Sequence, residues 1–182
     1  MQLQDNHPAS IGEAITLVNE AINLLPPLHP DLVCFLQYLG SLLFNMFDYT
    51  YDSNYLESTV DSFCKAVNLS SASALLRFAA ARSWAHHADV HTHPSALEAY
   101  QHAVELLPRL ATLGHTLQAQ QEILASRSDG LACNVAACTI RSGEFDKAVK
   151  FLEQGWTMFW SQALWLRTPL DSLSIEALKL AE

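Results

Sequence analysis

The sequence predicts an all-α chain of about nine helices, and three observations predict it. Strand signals are almost absent: no Asn-Gly or Asp-Gly pair separates alternating apolar runs, and Asp129-Gly130 lies between two Ala/Leu-rich helical patterns. Apolar residues recur at spacings of three and four, the period that places them on one helix face. Three candidate capping boxes, Ser10 with Glu13, Asn54 with Glu57 and Ser95 with Glu98, put an oxygen acceptor before a helix and a carboxylate three residues on.

Taken in order, the first helix runs over residues 10–25 from Ser10 to the break at Pro26-Pro27. The second carries Leu36, Leu39, Gly40 and Leu43 and ends at Asp52-Ser53, and the third starts at Asn54. The fourth spans Ala72 to Ala88. The fifth starts at Ser95 and stops at Pro108, which has no amide hydrogen to continue a helix. Arg109 to Arg127 forms a further helix, closed by Ser128 to Gly130. Another covers 131–142, Gly143 turns the chain, an aromatic-rich helix follows as far as Pro169, and Asp171 to Glu182 is the last. Connections this short make neighbouring helices antiparallel.

The chain repeats itself. Ala14, Val18, Ala21 and Pro26 align with Thr59, Phe63, Ala66 and Ser71, with Ala96, Tyr100, Ala103 and Pro108, and with Ala148, Leu152, Gly155 and Trp160. Small residues seven apart let a neighbouring helix approach, and the large residue between them fills the remaining gap. Upstream of three of these helices lies a partner pattern: Leu36, Leu39, Gly40, Leu43, then Arg77, Ala80, Ala81, Trp84, then Ala132, Val135, Ala136, Thr139. Together the two patterns resemble the tetratricopeptide repeat, a helix pair of 34 residues. Leu131 to Gly155 matches without insertion, with Gly143 in the turn and Phe145 at the usual aromatic position; the other repeats are longer.

The resemblance implies a right-handed solenoid of antiparallel helix pairs, a single domain over 1–182 with repeats near 30–71, 72–108 and 131–167 and an extra helix at 109–127. It also implies that the first helix of each pair lines a concave face that takes a protein or peptide. Gln37, Phe44, Asn45, Phe78, Arg82, His86, Ile140 and Arg141 fall at those positions. Ser41, Arg82 and Ala137 stand where the family's chaperone-binding members carry clamp asparagines. A mostly apolar groove for a helix or extended peptide is therefore expected rather than a carboxylate clamp.

A narrower resemblance covers roughly residues 77–173. The stretches from Pro94 to Tyr100, Leu106 to Arg109, Asp129 to Cys133, Phe159 to Leu164 and Leu166 to Leu170 resemble fungal multi-repeat proteins in which helical repeats precede a CHAT domain, a caspase-like peptidase fold. This implies a regulatory or substrate-recruiting arm for such a domain in cis. The catalytic His and Cys belong to that later domain, so no catalytic residue is carried onto this chain.

Composition and charge fit a non-catalytic scaffold. Half of the 182 residues are hydrophobic (50%) and only 16% are charged, which excludes a disordered tail. The net charge of -9 leaves no cluster of Lys and Arg to neutralise phosphates, so nucleic acid is not an expected partner. Residues 1–100 carry three basic and ten acidic side chains, so the deficit is deepest there. The polar opening Met1 to Ser10 is no signal peptide, and no run of about 18 uncharged apolar residues suggests a bilayer span. A cytoplasmic protein without membrane contact or cofactor is expected. Cys34, Cys64, Cys133 and Cys138 form no CxxC pair and are expected to pack as small hydrophobes. The first helix lacks a first-helix partner, and the last has an apolar face at Leu173, Ile175, Leu178 and Leu180 with nothing after it. Both features suggest a cut through a larger array.

Two clusters invite a chemical reading. His86, His87, Asp89, His91 and His93 offer four imidazoles in eight residues, and a metal-dependent enzyme would use His87 and His91 on adjacent turns. Against this, there is no HExxH glutamate and no nearby Cys; the bland reading is that the helix ends here and the histidines line a solvated loop. Trp156, Phe159, Trp160 and Trp165 suggest docking of another domain or chain. Their spacing winds around most of a helix, so part of the stripe belongs to the core. No nucleophile elbow and no glycine-rich loop is present, so no enzyme chemistry is expected.

Overall fold

The computed structural model describes residues 8–111 and 130–154, and all regular structure there is helical. The helices are α1 (Pro8–Leu24), α2 (Leu32–Thr50), α3 (Ser53–Asn68), α4 (Ala74–Val90), α5 (Ala96–Ala111) and α6 (Leu131–Arg141), and residues 145–154 are helical after a turn. The chain divides into two compact units, Met1–Leu113 and Gly114–Glu182.

In the first unit each helix packs on the next, and α2 also touches α4. The pairs run antiparallel. Gly40 of α2 and Phe63 of α3 meet, and they stand equally far along the chain from the Tyr51-Asp52 link, as antiparallel packing requires. Trp84 of α4 and His102 of α5 likewise stack, with ring centroids 5.9 Å apart, across the loop at 91–95. α1 closes one side by laying Ile11 and Val18 on Leu39, Leu42, Leu43 and Met46 of α2.

Much of the repeated pattern falls in the core, although Ala14 and Ala21 of α1 are half-buried and Pro26, Ser71 and Pro108 are exposed. Leu39, Gly40 and Leu43 of α2, Ala80, Ala81 and Trp84 of α4, and Val135, Ala136 and Thr139 of α6 are all buried. So are Thr59, Phe63 and Ala66 of α3 and Ala96, Tyr100 and Ala103 of α5. The small residues have a steric reason: a Cβ on Gly40 would lie 2.9 Å from two ring atoms of Phe63. Buried hydroxyls are satisfied within their own helices, Thr59 donating to the Tyr55 carbonyl at 2.8 Å and Thr139 to that of Val135 at 2.6 Å.

Helix boundaries depart from the capping boxes. Asp52, not Asn54, caps α3, its carboxylate accepting from the Asn54 amide at 3.0 Å. Ser10 lies inside α1 rather than capping it. Ser95 does precede α5, but its hydroxyl is engaged by Trp84 and His93. Ser73 caps α4 by accepting from the Leu76 amide, so α4 starts and ends two residues later than 72–88. Pro108 does not stop α5. Leu106, Leu107 and Leu110 around it are buried, and burial of one such leucine offsets most of the roughly 3 kcal/mol a helix-interior proline costs.

Two helices end in the same motif. At α4 the His93 amide reaches the Ala88 carbonyl (2.7 Å) and the Thr92 amide that of Asp89 (3.1 Å); at α6 Glu144 reaches Thr139 and Gly143 reaches Ile140, both at 3.0 Å. Each motif needs a left-handed residue, Gly143 at φ 78° and Thr92 at φ 52°. α2 ends on a left-handed Tyr51 (φ 54°). By length and composition α2 could cross a bilayer, contrary to the expectation of no such stretch, but nine of its residues are buried among its helical neighbours.

Candidate functional site

Among the described residues, one feature of the first unit that could receive a ligand is an open cleft of about 310 Å³ lined by Cys34, Gln37, Tyr38, Ser41, Phe63 and Ser83. Sequence puts these residues on three helices. Cys34, Tyr38 and Ser41 are spaced four and three apart on α2, facing away from the buried Leu36, Leu39 and Leu43, and all three are exposed. Phe63 rises from α3 and Ser83 comes from α4. Gln37 fixes the distance between walls, its side-chain amide donating to the Leu76 carbonyl of α4 at 2.7 Å.

Beyond the cleft, α2 and α4 join through rings. Phe44 lies 3.9 Å, centroid to centroid, from His87, and that imidazole also stacks on Phe63 at 5.7 Å and 17°. His91 sits edge-on to Phe47 at 4.8 Å and near Phe44 at 5.5 Å. Burial above all, with His86 and His91 acting the same way and Asp48 opposing, lowers the His87 pKa to about 4. His87 is thus a neutral wall of an aromatic box.

The concave-face expectation is partly corrected. Gln37, Phe44 and Asn45 lie on the α2 side, where Gln37 and Phe44 bridge to α4, and Arg82 and His86 are exposed on α4. Phe78 does not line a surface: it is 0% exposed because it faces into the core, and Arg82 lies over its ring at 6.0 Å. Ile140 and Arg141 are exposed on α6 in the second unit. Trp156, Phe159, Trp160 and Trp165 lie outside the described residues. Tyr38, Phe63 and Ser83 lie outside the groove positions that the repeat pattern gives; the polar and aromatic stripe from Cys34 to Ser41, opposite the α2 leucines, is the sequence signal for Tyr38.

The histidine cluster dissolves into separate roles. His86 and His87 are inside α4 and His91 caps it, so these do not line a solvated loop. His87 and His91 face phenylalanines, and among the described residues no group of three His, Cys, Asp or Glu side chains is arranged to hold a metal. His93 belongs to a different network. Its Nδ1 accepts from the Ser95 amide at 3.2 Å and meets the Ser95 hydroxyl at 2.7 Å, while that hydroxyl accepts from the Trp84 indole at 2.9 Å. With its oxygen receiving the indole proton, the Ser95 hydroxyl donates to Nδ1. The imidazole proton is then on Nε2, which donates to Glu57 at 3.2 Å. This Ser-His-Glu chain clasps α3, α4 and the loop before α5.

The cysteine expectation holds only for Cys138, which is buried; Cys34 and Cys133 are exposed and Cys64 is half-buried. Burial, aided by Glu98 and Asp61, holds the Cys64 thiol above its ordinary pKa. In comparisons with protein-family models, curated proteins and solved structures, nothing matches this chain.

Proposed function

We propose that the chain is a non-catalytic helical-repeat scaffold, a right-handed tetratricopeptide-like solenoid that takes a protein or peptide on its α2/α4 face. One observation carries the reading: the first helices of two successive pairs touch, yet leave between them an open cleft with an aromatic floor at Phe63 and an exposed aromatic rim at Tyr38. The repeat reading draws support from the burial of equivalent small and large residues in successive pairs and from left-handed residues at Tyr51, Thr92 and Gly143 after α2, α4 and α6. A side chain or short segment of a partner fits such a cleft, with hydrogen bonds to Ser41, Ser83 and Gln37 fixing its register.

The test is site-specific photocrosslinking in cells. A photoreactive phenylalanine analogue in place of Tyr38 should trap a protein partner that the same analogue at Val90, exposed at the end of α4, does not trap. Tyr38→Glu should release that partner from the untagged chain. Identical adducts from both positions, or none from position 38, refute the assignment of the cleft.

A further inference from the structure

α1 offers a second surface of different chemistry. Its apolar residues cover about half of the helix circumference at 100° per residue. Ile11 and Val18, with Ile15 and Ile22 beside them, take the half that faces α2. Ala14 packs against the same α2 cluster at the border, and beyond it the helix carries Leu17, Ala21 and Leu24 at the four-three spacing of a helix-packing seam. Leu17 is 65% exposed and Leu24 86%, and Leu28 just past the helix end is 67% exposed. The small Ala21 sits between the two leucines, so a second helix can come close there while its own large side chains lie beside Leu17 and Leu24.

Electrostatics selects the occupant. Glu13 and Glu20, both exposed, border the open seam and form no ion pair among the described residues. No lysine or arginine precedes Lys65, whereas Asp and Glu occur eight times in that stretch. A second copy laid antiparallel on the same seam would bring Glu20 beside the Glu20 of its neighbour, with no cation nearby to offset the repulsion. An anionic lipid surface would be repelled likewise. A cation-bearing helix meets no such penalty.

We propose that this face of α1 docks a basic amphipathic helix of a partner protein, its apolar seam on Leu17, Ala21 and Leu24 and its Lys or Arg residues beside Glu13 and Glu20. The surface is separate from the α2/α4 cleft, so either assignment stands without the other.

The test uses the full chain and three labelled helix-forming peptides, followed by fluorescence anisotropy. Two share a Leu/Ala seam and differ in Lys or Glu at the flanking positions; the third keeps the Lys flanks and replaces the seam leucines with serine. The Lys-flanked seam peptide should bind at least about tenfold more tightly than either of the others. Leu17→Ser and Leu24→Ser should each weaken it about tenfold, with unchanged circular dichroism because both side chains are exposed. Glu13→Lys with Glu20→Lys should reverse the flank preference, and Tyr38→Glu should leave binding as it was. Equal binding of the two Lys-flanked peptides would reduce the effect to general charge attraction and overturn the proposal. So would wild-type affinity in both leucine variants, loss of binding in Tyr38→Glu, or a dimer in sedimentation that Leu17→Ser dissolves.

Discussion

Gly40→Ala tests whether the small-residue positions of the repeat are steric requirements. The new Cβ would stand 2.9 Å from Cε2 and Cζ of Phe63 and 3.1 Å from Cε1, where carbon atoms prefer 3.5–4.0 Å. The ring cannot easily withdraw: Phe63 is 1% exposed, with His87 stacked behind it. Overpacking of this kind costs about 1–3 kcal/mol. Against it stands a gain of about 1 kcal/mol, because alanine is the better helix former. Gly12→Ala isolates the steric part, since Gly12 is also helical and a Cβ there meets nothing within 4 Å. Urea unfolding followed at 222 nm should show Gly12→Ala stabilising by about 1 kcal/mol and Gly40→Ala falling about 1–3 kcal/mol below it, with the slope in urea unchanged. Adding Phe63→Leu, which removes the ring atoms in contact, should bring the effect of Gly40→Ala back toward that of Gly12→Ala. If the two alanine variants are equally stabilised in the parent chain, Phe63 does not press on α2 and the close-packing argument fails.

Other expectations follow from the same geometry. Because the folded state holds His87 near pKa 4, below its ordinary 6.5, the unfolded chain binds the extra proton first as pH falls. Stability should therefore be level above about pH 6.5 and decline down to about pH 4. Full linkage would be about 3 kcal/mol, and solvent access to the half-buried ring reduces this to about 1–2; an unchanged slope in His87→Phe would refute the assignment. Pro108→Ala should stabilise by about 1–2 kcal/mol through a restored α5 hydrogen bond, partly offset by the freer unfolded chain, and a lower melting temperature would contradict it. Ser95→Ala should cost about 1–3 kcal/mol by orphaning the Trp84 indole N–H, and a loss under about 0.5 kcal/mol would mean water replaces the hydroxyl. Phe78→Glu should unfold the first unit while Arg82→Glu leaves its thermal midpoint within a few degrees, since one side chain is enclosed and the other exposed.

The core was more legible than the site. Leu39, Leu43, Phe63, Ala80, Trp84 and Ala103 are buried where the repeat pattern places them, because helical periodicity maps sequence spacing directly onto faces. Phe78 was misread for a related reason. A one-residue rotation on a helix is 100°, enough to carry a side chain from a groove to the core. Pro108 and the true caps Asp52 and Ser73 escaped because the outcome depends on competing energies, Leu110 burial against a lost hydrogen bond, that no local motif contains.

The sequence by itself determined that the described chain is helical, where most helices turn, and which small residues must face large ones, since these follow from dihedral preference, helix-breaking residues and period. Tertiary structure alone decided what the histidines do. Four imidazoles in eight residues look alike as letters, yet His87 and His91 enter an aromatic box built by α2 and α3, and His93 clasps Glu57, 36 residues away. The cleft is tertiary for the same reason: Tyr38, Phe63 and Ser83 come from three helices, and only the antiparallel packing of α2, α3 and α4 brings them together.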